Sequence, residues 1–258
     1  MLPLRFGSPE QFALVKGFLE ESFYAEEGIC NRLGLSALHE YAKARERAPE
    51  SLQEQDRLNL LIRVFFCGEQ VSREQLQKLI PDAARGAFEN LGLLGEDQKG
   101  DGRIGSPAAL YPAHGLYFVS DHWTRVDRPA AESLDDIVFP AISRHTYQFL
   151  ETLPQDPCES FLDLCSGTAV AALVAASRYA RHAWAVDITE RATQCGEFNR
   201  RLNGIDNATV LQGNLYAPLE EIAFERIVAH PPYVPVMQPS KIYYDGGEDG
   251  ERVTRGIV

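Results

Sequence analysis

The chain predicts an α/β protein, a parallel sheet in its second half preceded by a mainly helical module that ends in a β-ribbon. Two observations carry this. After residue 157, short apolar runs alternate with helix-length segments, and strands spaced by helices of that length imply a parallel sheet. Before residue 120, helix-start signatures repeat and are followed by the β-rich run Leu116-Tyr117-Phe118-Val119.

The 258 residues suffice for one large or two ordinary domains, and a hydrophobic share of 45% can fill a core. A net charge of -12 weighs against a general nucleic-acid surface, which needs clustered Lys and Arg to displace counterions. Cys30, Cys67, Cys158, Cys165 and Cys195 are scattered with no Cys-x-x-Cys spacing, so neither a disulfide framework nor a zinc site is expected. The histidines other than His230 (His39, His114, His122, His145 and His182) have no metal-like spacing either, and no metal is expected. Met1 to Glu10 has no basic segment leading into an apolar one, and no run reaches membrane-spanning length. A reducing cytoplasm is the expected compartment.

In chain order, Ser8-Pro9-Glu10-Gln11, Ser51-Leu52-Gln53-Glu54 and Ser72-Arg73-Glu74-Gln75 fit the capping-box pattern and predict helix starts. After Ser51, Leu58, Leu61, Ile62 and Phe65 recur at helical spacing and predict one buried face before Gly68. A helix over Arg73 to Ile80 is closed by Pro81; Asp82 can cap another over Ala83 to Leu91, ended by Gly92 and Gly95. Three helices and a ribbon predict a winged-helix-like module over residues 1–120. Its third helix carries a single base, Arg85, with Glu89 one turn on, so packing or substrate docking is expected there rather than DNA reading.

Residues 121–258 are expected to form the second domain. A linker rich in Asp and Pro leads to a helix around Ala141 to Leu150. Strand Phe161 to Leu164 feeds a helix over Val170 to Tyr179, Ala183 to Val186 feeds Glu190 to Leu202, and Thr209 to Leu211 precedes Arg226 to Ala229. The strand ends carry the chemistry. Gly167, lacking a Cβ, lets a ligand approach the backbone, and amides opening the next helix can receive an anion. Asp187 is placed to accept from ribose hydroxyls, and Asn214 could meet an adenine edge with its side-chain amide. His230-Pro231-Pro232-Tyr233 closes the last strand. In open α/β sheets ligands bind outside the carboxyl ends of the strands, so a small-molecule site is expected there.

These motifs, in this order, resemble those of class I S-adenosylmethionine-dependent methyltransferases over roughly the second half of the chain. Asp163 to Ala169 matches the first motif, Asp187 the ribose acid, Asn214 the adenine-side position, and His230 to Tyr233 the substrate motif. Tyr244-Asp245-Gly246-Gly247-Glu248-Asp249-Gly250 is similar to the Asp-Gly-Gly-x-x-Gly segment of the release-factor glutamine methyltransferase branch. The whole chain resembles bacterial methyltransferases that join a winged-helix-like domain to such a catalytic domain. The resemblance implies a Rossmann-like methyltransferase sheet, with S-adenosyl-L-methionine held by Asp163, Cys165, Gly167, Asp187, Ile188, Asn214 and Leu215. It also implies a planar nitrogen acceptor, foremost a protein glutamine amide, met by His230, Pro231 and Tyr233.

Three departures stand out. The family commonly has Gly where this chain has Cys165 and Ala169. It usually has Asn where this chain has His230: Asn presents a donor and an acceptor side by side, whereas neutral imidazole presents them on opposite ring edges. His230 is therefore expected to retune the acceptor, as a proton acceptor itself, or to weaken the site. The family sheet has seven strands ordered 3-2-1-4-5-7-6, and only four are visible here, so the chain is expected to be the amino-terminal part of a longer domain. Three alternatives remain. A nicotinamide dehydrogenase would want Gly-x-Gly-x-x-Gly, which Cys165-Ser166-Gly167-Thr168-Ala169 does not supply. An exocyclic amine of a nucleic-acid base would also suit the Pro-Pro-Tyr turn. A non-catalytic cofactor- or partner-binding module is the third.

Overall fold

The computed structural model describes residues 2–96, 102–123, 134–219, 222–238 and 240–258. Helix α1 (Pro9–Glu21) opens on the Ser8–Gln11 capping box read from the sequence. Helices α2 (Glu26–Leu33) and α3 (Tyr41–Ser51) follow. Ser51 ends α3 and does not start a helix. The next one, α4 (Arg57–Leu61), starts where the Asp56 carboxylate accepts the Asn59 amide, and it widens into a π-turn over Ile62–Phe66. Leu61, Ile62 and Phe65 are buried, as their spacing predicts.

Strand β1 (Val71–Ser72), helix α5 (Arg73–Leu79, behind the Ser72–Gln75 capping box) and helix α6 (Asp82–Asn90) come next. Strands β2 (Gly95–Glu96) and β3 (Arg103–Gly105) complete a small antiparallel sheet ordered β1-β3-β2. The ribbon is a hairpin of β4 (Ala109–Ala113) and β5 (Leu116–Ser120), turned at His114 and Gly115, both with positive φ. The expected ribbon supplied only its second strand. Residues 124–133 of the expected linker lie outside the described residues. Its helix, α7 (Arg144–Thr152), is capped by Ser143 and starts three residues later than the composition suggested.

The parallel sheet consists of β6 (Cys158–Leu164), β7 (Ala180–Asp187), β8 (Ala208–Gln212) and β9 (Arg226–Ala229), in the order β8-β7-β6-β9. Helices α8 (Val170–Arg178) and α9 (Glu190–Asn203) connect the first three, and α10 (Thr254–Ile257) is the last element. One sheet face, with Phe161, Ala183, Ala185, Ala208 and Val228, packs under α8 and α9 into a core that continues into α1, α4, α6 and the ribbon. The other face holds the smaller cluster Leu162, Leu164, Val186 and Leu219.

The two halves are knit through α9. Phe12 of α1 meets Phe198 edge-on at 5.1 Å. Arg191 donates to both oxygens of Asp121, at 2.8 and 2.5 Å, with both side chains out of water. Asn199 and Asn203, one helical turn apart, each accept from and donate to the backbone of one β5 residue, Val119 and Tyr117 respectively. The ribbon edge is thereby satisfied by side-chain amides that imitate a neighbouring strand.

Candidate active site

The four parallel strands end at one edge. Leu164 lies opposite Val186 and Ala229, and Val186 opposite Leu211. The residues that come next, Cys165, Asp187, Gln212 and His230, therefore leave the sheet side by side. Strands β7 and β8 lie to one side of β6 and β9 to the other, so the loops after β6 and β9 diverge across a switch point, where a crevice opens.

The loop after β6 is wound left-handed: Cys165, Gly167 and Ala169 have φ of 58, 54 and 62°. Where the resemblance expects Gly, the backbone still adopts the conformation Gly favours, at about 1–2 kcal/mol for each residue bearing a Cβ. Backbone bonds hold the winding, Ser166 N–H to Val186 O at 3.1 Å and Ala169 N–H to Ser166 O at 2.8 Å. A Cβ built on Gly167 would meet nothing within 4 Å, so the loop presents bare backbone to open space. Burial pushes the Cys165 thiol up to about 12, with Asp187 and Asp163 adding to it, so the sulfur stays protonated.

Asp163 does not line that space. It is 2% exposed and accepts the Ala172 amide at 3.2 Å at the start of α8. Burial raises its carboxyl to about 7 against the pull of that amide. Its place is beneath the loop, holding the helix start. Asp187 does sit at the rim: Oδ2 accepts Gly167 N–H at 2.9 Å, and Oδ1 accepts the Thr189 amide and hydroxyl at 3.0 and 3.1 Å. Burial raises its carboxyl too, opposed by the Thr189 and Gly167 amides. A carboxylate oxygen can accept two bonds, so Oδ2 can still take a hydroxyl donor. Beside it Ile188 is 56% exposed, an apolar surface fit to lie under a ring, with exposed Asn214 and left-handed Leu215 following β8.

At the far side His230 is half-buried and stacked between two rings, Phe149 at 5.0 Å and 26° and Tyr233 at 6.1 Å and 16°. Burial, reinforced by His145, holds its pKa below the ordinary histidine value, so the imidazole is neutral at neutral pH. Tyr233 is 53% exposed. Pro231 leads into a loop that is clamped from below: Val234 bridges to Asp245, and Gly246 N–H donates to Val234 O at 2.9 Å. Asp245 is buried and held below the usual carboxylate range by the Ser240 and Gly247 amides. Glycine is required here, since a Cβ on Gly250 would come within 2.5 Å of Tyr233 O.

The edge thus brings together Gly167, Asp187, Ile188, Asn214 and Leu215 on one side and His230, Pro231 and Tyr233 on the other. A separate cleft of about 510 Å³, lined by Cys158, Glu159, Tyr179, Arg181 and Glu225 among others, lies at the opposite, amino end of the sheet. It holds none of the strand-end residues. Among the described residues, no group of three or more His, Cys, Asp or Glu is arranged to hold a metal. Sequence reasoning missed Phe149 and Asn199. Phe149 sits in a helix read only as a linker element. Asn199 carried one legible signal: it falls on the same helical face as Cys195, Phe198 and Leu202, all buried.

Comparison with known proteins finds a family likeness within the second half of the chain. Residues 141–242 match the methyltransferase small domain. The likeness is to that family over this stretch alone. The ribosomal protein uL3 glutamine methyltransferase of Bradyrhizobium diazoefficiens is 34% identical to the chain over 112 residues, covering 39% of this chain and 35% of that one. The release factor glutamine methyltransferase of Moorella thermoacetica is 31% identical over 160 residues, covering 50% and 56%. Among solved structures, the ribosomal protein L11 methylase of Lactobacillus delbrueckii subsp. bulgaricus is 26% identical, covering 32% of this chain and 42% of that one, with a TM-score of 0.29. The aligned stretch thus spans about half the length, or less, of these curated relatives. The resemblance read from the motifs is borne out at the level of the methyltransferase domain.

Proposed function

We propose that the chain takes part in S-adenosyl-L-methionine-dependent transfer of a methyl group to a planar nitrogen, most naturally the amide of a protein glutamine. The observation that carries this is the meeting, at one sheet edge, of the Gly167 loop, Asp187 and the His230-Pro231-Pro232-Tyr233 turn. The donor site fits its ligand: bare backbone at Gly167, a spare acceptor on Asp187, and exposed Ile188 and Asn214 match a charged amino-acid end, a ribose and an adenine. The bound donor supplies a methyl group made electrophilic by its sulfonium.

The chain's own residues handle the acceptor. Tyr233 offers a ring face to a planar group, and the Pro231 carbonyl can accept one N–H. An amide nitrogen is a weak nucleophile, so placement and a nearby proton acceptor must do most of the work. His230 is that acceptor, neutral, and fixed in orientation by the Phe149 and Tyr233 rings. The two relatives named for glutamine methylation support a protein substrate.

Helix α4, strand β1, helices α5 and α6, and strands β2 and β3 run in the order of a winged-helix-like module, which we assign to docking that substrate. Arg85 of its third helix is spent on Asp82 at 2.7 Å and Glu89 at 3.9 Å, which disfavours a nucleic-acid role. The compartment that fits such a substrate is the cytoplasm.

The test is transfer of labelled methyl into glutamine-bearing protein, RNA and DNA, for the wild type and His230→Asn, from pH about 5 to about 9. The wild-type rate should fall only on the acid side of the ordinary histidine value of about 6.5, because burial lowers the pH at which this imidazole takes up a proton. The variant should lack that limb. Coincident profiles would remove the imidazole from the chemistry, and label in nucleic acid alone would overturn the substrate class.

A further inference from the structure

We infer that Asn199 is a positioning residue for the Ser166–Ala169 loop, coupling the amino-terminal ribbon to the proposed donor site. A carboxamide has one acceptor oxygen and two N–H donors. Asn203 accepts from Tyr117 N–H at 2.8 Å and donates to Tyr117 O at 2.7 Å and to Asn199 O, in its own helix, at 2.8 Å. Asn199 accepts from Val119 N–H at 2.6 Å and donates to Val119 O at 3.3 Å, but its other donation goes to Thr168 O at 3.0 Å. Toward the ribbon the two amides are equivalent; only Asn199 reaches the loop.

That third bond lies where it matters. Thr168 is buried, so its carbonyl has little access to water as a substitute partner. It sits between Gly167 and Ala169, both left-handed, and Ala169 carries a Cβ that disfavours this winding. Holding the Thr168 carbonyl opposes relaxation of the peptide on either side and so keeps the Gly167 backbone bare. Because the same carboxamide grips Val119, a displacement of the ribbon is transmitted to the loop.

The inference rests on reading the Gly167 loop as the donor site, and the test separates the two. Asn199→Ala and Asn203→Ala both remove ribbon bonds and should lower thermal stability alike, so Asn203→Ala is the control. In the full chain without ligand, hydrogen–deuterium exchange of the peptide spanning residues 165–170 should accelerate about tenfold more in Asn199→Ala than in Asn203→Ala. In calorimetry with S-adenosylhomocysteine, Asn199→Ala should bind about tenfold more weakly and Asn203→Ala as tightly as the wild type. Asn199→Leu, close to asparagine in shape and without polar atoms, offers Thr168 no donor; it should follow Asn199→Ala and serves if the alanine variant does not fold. Equal loop exchange in the Asn199 and Asn203 variants overturns the inference. A wild type that does not bind S-adenosylhomocysteine overturns the donor-site reading instead, and the exchange comparison still decides the role of Asn199.

Discussion

A carboxyl group shut away from water must be neutral or be held by donors, and Asp163 has the amides that open α8, Ala172 at 3.2 Å and Ala171, to hold it. With its folded-state value raised to about 7 by burial, the folded chain keeps a proton that the unfolded chain releases near the ordinary aspartate value of about 4. A raised value means stabilisation that is complete below about 4 and is lost as pH rises to about 7. Across that window, urea denaturation of the ligand-free proteins should therefore show wild-type stability declining with rising pH relative to Asp163→Asn, which keeps an acceptor for the Ala172 amide. Asp187, raised in the same direction, adds to this contribution, and the lowered carboxyls of Asp56 and Glu197 oppose it. Identical slopes in the two proteins would mean that Asp163 is ionised when folded. At this scale the sequence was legible where chemistry sits at strand ends. Asp187, Gly167 and His230 occupy the edge expected of them, because an apolar run ending in a polar residue marks the point where a chain leaves a sheet. Asp163, read as a ligand-facing acid, proves to be a prop beneath the loop. Its burial depends on how α8 returns over the strand, which no local pattern encodes.

Among the elements, the helices of the parallel sheet were readable to within a residue, whereas β6 and β7 each begin three residues before the apolar run that marked them. Thr189, which accepts the Ala192 amide, and left-handed Gly204 bracket α9. Two kinds of element escaped. Helix α2 starts behind Ala25, which has no capping side chain, and so left no signature. Strand β4 contains Pro112 and is buried at all five positions, which hides the alternation that betrays strands; the proline is tolerated because, among the described residues, β4 pairs with β5 alone. The join between ribbon and α9 was equally hidden, since Asp121 and Arg191 lie 70 residues apart. Their hydrogen bond dominates in holding the Arg191 guanidinium firmly charged. Removing one partner strands the other without water, so Asp121→Ala should cost about 3–5 kcal/mol in chemical denaturation. The double variant Asp121→Ala with Arg191→Met should recover much of it. A loss under about 1 kcal/mol in the single variant would show that the pair tolerates being broken.

The molecule as a whole has one main core, with Phe12, Phe65 and Phe118 from the first half in the same cluster as Phe161 and Phe198 from the second. A boundary near residue 120 divides the motifs, yet apolar packing runs straight across it. Unfolding should accordingly be a single transition. The two tryptophans report on both halves: Trp123, just past that boundary, is buried against Phe66 of the first half, and Trp184 lies on the sheet against Phe224. Single-tryptophan variants, Trp123→Phe and Trp184→Phe, should give fluorescence midpoints that differ from the wild type's only by the cost of each substitution, and each should coincide with its own loss of helical ellipticity. Two resolved transitions would mean that the halves fold apart. The amide ladder along β5 adds a chemical vulnerability to this cooperative behaviour. Asn203 is followed by Gly204, and an asparagine before glycine is the peptide joint most prone to shed ammonia and become aspartate or isoaspartate once the backbone is free to cyclise. In the folded protein its side chain is fully engaged and its backbone is held at the end of α9. Each excursion to the open chain removes that shelter. A single such event replaces a donor with an anion facing the Tyr117 carbonyl, so heating should age the protein by progressive loss of refolding, with acidic charge variants accumulating at residue 203.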